Sequence, residues 1–252
     1  MEIVWLGHSC FRLKSGDLVL LTDPYGPDLG YNLGKPTANV VTISRHHSHH
    51  NYLAGVGGPA KGTTKVIDGP GEYEIGGVFI TGIQTWHRAE GSKRAERNTI
   101  YTVEMEDLVV CHLGDLDRVP AAEEAEQVGG VDVLLVPVGG QDTINASQAS
   151  EVISLLEPKI VIPMHYKTDA VKIELDPIDR FCRQMGIKNF ERQSRLLVAK
   201  GRLPAGSGPT EQRTRPPADR GVAELQYPTH PAGAGSKQPA ESGRPQRRRL
   251  DQ

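Results

Sequence analysis

Short runs of β-branched and other apolar residues, punctuated by turn formers, dominate the first half of the chain. Residues 3–6, 10–14 and 17–21 read as a meander, with Ser15-Gly16 as a hairpin turn. Residues 39–44, with a Val-Val-Thr-Ile core, predict a buried strand. Further strands are expected at 65–67, 78–85, 99–104 and 108–112, the last two joined by a turn at Glu106-Asp107. From residue 120 the rhythm changes. Residues 120–128 predict a helix, with Pro120 near its first turn and Gly129-Gly130 ending it. A strand at 131–136, an amphipathic helix at 146–156 stopped by Pro158, and a strand at 159–162 follow. A third helix is expected over 176–185, capped by Asp176, with Pro177 at its first position and Gly186 beyond its end. Residues 195–199 close the series as a strand. A meander flanking αβ units predicts an α/β fold: two mixed sheets packed face to face, with helices outside. No repeat of 20–50 residues is evident.

Composition divides the chain. Residues 201–252 hold eight Pro and seven Gly but only four residues among Val, Leu, Ile and Phe. Such a stretch cannot bury enough apolar surface to offset its ordering entropy, so a disordered tail is expected there and a folded domain over 1–200. The tail has nine of the 29 basic residues and five of the 31 acidic ones, leaving the domain with 20 and 26. An acidic domain disfavours nucleic acid as partner, and Arg247-Arg248-Arg249 reads as a solubilising end. No apolar run of about 18 residues predicts a membrane span, and the first residues lack the order of a signal peptide. Cys10, Cys111 and Cys182 are odd in number and scattered, which predicts a reducing, cytoplasmic setting rather than a disulfide framework. Cys10 and Cys111 fall inside apolar strands and read as buried thiols rather than nucleophiles.

The histidines carry the chemistry. Four lie in Arg45-His46-His47-Ser48-His49-His50, and His8, His87 and His165 each fall at or just past the end of an expected strand. Asp115 follows another, in Cys111-His112-Leu113-Gly114-Asp115. Loops converging at strand ends build sites, and imidazoles meeting a carboxylate there are the donor set of a zinc-type metal.

These elements, taken in order, resemble the metallo-β-lactamase superfamily, and most of all the branch near the ascorbate-6-phosphate lactonases and related metal-dependent hydrolases. The matching pieces are Leu6-Gly7-His8-Ser9, Thr22-Asp23-Pro24, the histidine loop, and Gly69-Pro70-Gly71-Glu72-Tyr73. His87, Asn98-Thr99, His112-Leu113-Gly114-Asp115, Pro137-Val138-Gly139-Gly140 and Ile162-Pro163-Met164-His165-Tyr166 complete them. The resemblance implies a four-layer αββα sandwich with a metal site along one edge. The family's loop is His-x-His-x-Asp-His, binding two metals with the help of later His and Asp residues. His47, His50, His87, Asp115 and His165 match those positions, whereas Arg45 stands at the first His and His49 at the Asp. Arg88 stands where close relatives commonly have Asp.

Arg45 cannot ligate, because guanidinium has no available lone pair and stays protonated. It also repels a nearby divalent ion by an amount on the order of a few kcal/mol at an effective dielectric of about 20. His49 can bind zinc but brings no negative charge. The expectation is therefore one well-held metal at His49, His50, His165 and Asp115, and a weak or empty first site at His47, His87 and Asp115. A register using His46 stays open. His112 and Asp23 are expected to orient ligands, His8 to do so or face substrate, and Arg45, Arg88, Tyr166 and Lys167 to hold an anion. Glu72 stays unassigned between a turn and a site role. Zn2+ is the expected ion, as one or two per chain, with Mn2+ or Fe2+ as alternatives. The resulting expectation is a hydrolase of a small anionic ester, lactone or phosphoester, with Asp115 and His49 handling the metal-activated water. The alternative is a degenerate, non-catalytic metal binder; a nuclease is disfavoured by the acidic domain, and homo-oligomerisation stays open.

Overall fold

The computed structural model describes residues 1–88, 95–188, 192–204, 221–222 and 224–225. The first half supplies strands β1 (Glu2–Gly7), β2 (Cys10–Ser15), β3 (Leu18–Thr22), β4 (Val40–Thr42) and β5 (Lys65–Ile67). Then come β6 (Gly71–Ile75), β7 (Val78–His87), β8 (Glu96–Met105) and β9 (Leu108–His112). The second half alternates: α1 (Ala122–Val128), β10 (Val133–Pro137), α2 (Ala146–Leu156), β11 (Ile160–Met164) and α3 (Ile178–Gln184). Four two-residue strands follow: β12 (Arg192–Gln193), β13 (Leu196–Leu197), β14 (Gly221–Val222) and β15 (Glu224–Leu225).

Two mixed sheets result. The first runs β13-β1-β2-β3-β4-β5 and the second β14-β11-β10-β9-β8-β7-β6. Tight turns keep β1 to β3 antiparallel, and longer connections make β3, β4 and β5 parallel. In the second sheet α1 and α2 are the crossovers that let β9, β10 and β11 lie parallel. Residues of β10 are buried throughout, as a parallel strand covered on both faces must be.

Period-two alternation sorts the first sheet's side chains. Phe11, Leu13, Leu20 and Val40 join the core shared with the second sheet. Their neighbours Cys10, Leu21 and Val41 face the other way, against Tyr25, Leu29, Tyr31, Val171 and Leu175. The expected sandwich of two sheets is therefore present. The outer face of the first sheet is covered, among the described residues, by loops with 3-10 turns at Pro27–Leu29 and Leu53–Gly55.

Several boundaries differ from the sequence reading. β6 was not anticipated, Glu72 reading as a turn or a site residue: Tyr73 and Ile75 pack on the core while Glu72 and Glu74 are exposed. β7 and β8 are longer than expected and pair as far as His87 opposite Glu96, so His87 sits on a rigid ladder rather than in a loop. Asp176 does not cap α3; Pro177 flanks the helix, and the Asp176 carboxylate pairs with Arg180 at 2.6 Å instead. The strand expected at 195–199 is confined to Leu196–Leu197. Of the expected tail, residues 205–220, 223 and 226–252, including the three arginines, lie outside the described residues. Within it β14 pairs with β11 and β15 with β12.

Leu13, fully buried between the sheets, and Leu197, 67% exposed, give a contrast in one sheet. Leu13→Ala is expected to cost about 2–5 kcal/mol in denaturant unfolding, and Leu197→Ala no more than about 0.5 kcal/mol.

Candidate metal centre

The strand ends converge along one edge. β1 delivers His8, β3 delivers Asp23, β7 ends in His87, β9 leads to Asp115, and β11 leads to His165. The backbone is forced to turn sharply at three of these points: His8, Asp23 and His165 have φ of 53°, 37° and 54°. Left-handed backbone costs a non-glycine residue roughly 1–2 kcal/mol, so the fold must hold these turns in place. It does so with backbone bonds from His165 N–H to His8 O at 3.1 Å and from Asp23 N–H to Thr42 O at 2.9 Å. The Trp5 indole N–H also donates to His8 O at 2.8 Å.

His8, His50 and His165 are all buried, and each offers a ring nitrogen within 4.8 Å of the others. The His8 and His165 rings lie 3.8 Å apart between centroids. Neither nitrogen of His8 has a hydrogen-bond partner among the described residues, nor does His165 Nδ1. Buried polar atoms normally find partners, so these imidazoles have a nitrogen to spare, among the described residues, that could bind a metal ion. The Asp115 carboxylate lies beside His50 and His165. Its Oδ1 lies 3.3 Å from His165 Nε2, and its Oδ2 lies 3.7 Å from both His50 Nε2 and His87 Nδ1.

A second ring of groups fixes these orientations. Asp23 accepts from the Ser44 backbone N–H at 2.7 Å and the Ser44 hydroxyl at 2.5 Å, and its Oδ2 holds His50 Nδ1 at 2.9 Å. With the proton on Nδ1, His50 turns Nε2 and its lone pair inward. His87 Nδ1–H donates to the Asp115 carbonyl at 2.8 Å, which leaves a buried Nε2 with no partner among the described residues. His112 accepts the Gly114 N–H at Nδ1 (3.2 Å) and donates from Nε2 to Ser9 O (2.8 Å). Both its nitrogens are committed, so it can only orient the Asp115 loop. The Asn98 amide oxygen accepts the Asp115 N–H at 2.9 Å.

Charge follows from this packing. Burial pushes the Asp115 carboxyl up, but His50, His165 and His87 outweigh it and hold the group well below the ordinary carboxylate range. Burial pulls His50 down, yet Asp115 and Asp23 prevail and raise it. Burial, helped by the neighbouring imidazoles His165 and His50, drives His8 well below its usual value, so it stays neutral with a lone pair to offer.

The structure redistributes several expected roles. His49 turns aside to Asp28, with Nε2 3.2 Å from Oδ2, and His8 stands in the cluster in its place. The signal for His8 was its position just past β1, shared with His165. His47 is exposed, and its Nδ1 accepts the His49 backbone N–H at 3.3 Å. His46 is exposed too, directed toward Arg97 at 3.3 Å and Asp68 at 3.8 Å, away from the cluster. Arg45 does reach the centre: it pairs with Asp115 and with Glu96. Burial lowers its pKa, but the two carboxylates outweigh this and raise it. Tyr166 is buried and stacks on Trp5 at 5.2 Å, so it packs rather than facing a substrate. Lys167 donates to Ile173 O at 2.9 Å. Arg88 is exposed, with its backbone N–H on Asp117 at 2.6 Å, and Glu72 is exposed on β6.

Comparison with known proteins bears on the family and the fold. A model described as a beta-lactamase superfamily domain matches residues 2–165. A UPF0173 protein of Pyrococcus furiosus is 34% identical, over 70% of this chain and 87% of its own length. A UPF0173 metal-dependent hydrolase of Pyrococcus horikoshii is 29% identical, over 75% and 93%. Among solved structures, a candidate Zn-dependent hydrolase of the metallo-beta-lactamase superfamily from Thermotoga maritima superimposes with a TM-score of 0.67. It is 36% identical and covers 89% of this chain and 99% of that one. Igni18, a metallo hydrolase of Ignicoccus hospitalis, shares the fold at 18% identity and a TM-score of 0.52, covering 73% and 89%.

Gly114 has φ +63°, and a Cβ there would lie 2.5 Å from both Asn98 Oδ1 and Ser44 Cβ. Gly114→Ala is therefore expected to lose about 2–4 kcal/mol of stability in denaturant unfolding, by strain and overpacking together. Because Asn98 and Ser44 position Asp115 and Asp23, the same substitution should also weaken metal uptake, read by calorimetric titration.

Proposed function

The chain belongs to the beta-lactamase superfamily, and from that premise we propose that it is a metal-dependent hydrolase of a small anionic ester, lactone or phosphoester. One observation carries the reading: buried His8, His50 and His165 bring ring nitrogens within 4.8 Å of one another, His8 having no hydrogen-bond partner among the described residues, while Asp115 lies 3.3 Å from His165 Nε2 and 3.7 Å from His50 Nε2. Three imidazoles and one carboxylate are a borderline donor set that suits Zn2+, with Mn2+ or Fe2+ also accommodated. His8, His50, His165 and Asp115 are the residues assigned to hold it. When bound, such an ion lowers the pKa of a coordinated water toward about 7 and polarises the oxygen under attack.

The polypeptide's own part is positioning. Asp23 and Ser44 fix the His50 tautomer, the Asp115 carbonyl fixes His87, and the committed His112 steadies the turn that presents Asp115. Beside Glu96 lies an open pocket lined by His46, Trp86, Ala95, Glu96 and Arg97. Its exposed indole offers contact area, and Glu96 and Arg97 bring one charge of each sign, Arg97 already donating to Asp68 O. A cytoplasmic setting accords with three buried cysteines, none in a disulfide. The Arg45–Asp115 pair also supports a second reading, a metal binder without turnover. Metal retained with no hydrolysis across a broad ester, lactone and phosphodiester panel would select it.

His165→Ala and Asp115→Ala are expected to remove both bound metal, by elemental analysis, and hydrolysis across that panel; turnover retained by both variants sinks the mechanism. Asp23→Asn should weaken metal affinity by roughly 10–100-fold, because it disturbs the His50 tautomer without removing a ligand. Glu72→Gln, on the exposed face of β6, serves as the unaffected control.

A further inference from the structure

Arg45 is among the least exposed cations of the described chain, and its environment is built around it. Its Nη1 donates to Asp115 Oδ2, while Nε and Nη2 reach Glu96 Oε2 at 3.2 and 3.0 Å. Its side chain is 10% exposed and that of Asp115 only 4%. The two oxygens of Asp115 thus have different duties. Oδ2 is taken by the guanidinium and lies 3.7 Å from His50 Nε2, whereas Oδ1 is buried, has no hydrogen bond among the described residues, and lies 3.3 Å from His165 Nε2. A carboxylate shared by two metal ions gives one oxygen to each. Here one oxygen already serves a cation that cannot deprotonate and cannot leave the chain. A divalent ion on that side would meet like charge at close range. Nearby, His87 Nδ1 lies 3.7 Å from the same Oδ2, and its Nε2 is buried with no partner among the described residues.

Resting on the metal-centre reading above, we propose that Arg45 is a built-in substitute for a second metal ion. The centre takes a single divalent ion, on the side of Asp115 Oδ1, His8, His50 and His165. Arg45 balances and orients the other oxygen in the place a second ion would occupy. It acts as a positioning residue, through Asp115, with Glu96 holding its far side.

The test counts ions and needs no substrate. The full chain is stripped, loaded with excess Zn2+, dialysed against a mild chelator and analysed for zinc; the apo form is also titrated by calorimetry with Zn2+ alone. One ion per chain is expected. Arg45→His, which adds a donor and frees Oδ2, should raise the count to two, the second ion binding more weakly than the first. Arg45→Gln keeps bulk but removes the charge. Its apo form should melt about 5 °C lower than the wild-type apo form, and Zn2+ should recover more of the loss than it adds to wild type. Two tightly held ions in the wild-type chain would overturn the inference while leaving the metal centre standing. So would a folded Arg45→His that still takes one, or an unchanged melting temperature for Arg45→Gln. No zinc retained by the wild-type chain would instead overturn the metal-centre reading, and this inference with it.

Discussion

The interaction on which the rest depends is the burial of the Asp115 charge. An ionised carboxylate removed from water is tolerated only when paired and hydrogen-bonded. Asp115 is surrounded by His50, His87, His165 and Arg45, which reach it from three different parts of the chain. Those contacts tie the histidine loop, the end of β7 and the end of β11 to one atom pair. The two sheets could pack by apolar burial alone, but the edge where they meet has a defined shape because this carboxylate must be satisfied.

Backbone geometry supports that electrostatic hub. Left-handed turns at His8, Asp23 and His165 are costly locally, and all three occur where strands stop and side chains must swing toward a common point. The hydrogen bond between the His165 N–H and the His8 carbonyl joins two of these turns directly, and brings their rings to 3.8 Å. The site is thus preorganised by the ladder ends rather than by flexible side chains seeking each other. The outer partners, Asp23 with Ser44 and Asn98 with Asp115, leave each inner group little rotational freedom.

Much of this was legible in the sequence. Strand runs with β-branched cores and helices bounded by Gly and Pro identified nearly every main element, because tertiary packing here agrees with local preference. β6 escaped because its flanking glycines resemble a loop, and its pairing with β7 is a long-range fact. Strand-end placement pointed to the histidine loop, His165 and Asp115, and the family resemblance to His50 within that loop. The exchange of His49 for His8 could not be read there, because it depends on Asp28, a loop carboxylate with no sequence mark of its purpose. Arg45 was recognised as a non-ligand, but its grip on Asp115 and Glu96 required knowing that β8 begins early enough to bring Glu96 alongside.

The thin outer layer over the first sheet has an evolutionary consequence. Lys172 N–H bonds Leu29 O at 2.9 Å, and Gly30 lies so close to Ala170 that a Cβ there would come within 2.0 Å of its carbonyl oxygen. Tyr31 reaches Thr168 at 2.6 Å across the same seam. The first of these loops carries Asp28, which steers His49, and the second follows directly from His165. Insertions or deletions in either loop would break the seam and shift both flanks of the metal edge together. Surface loops usually drift freely in length among relatives; this pair should instead be held to matched lengths, changing jointly or not at all.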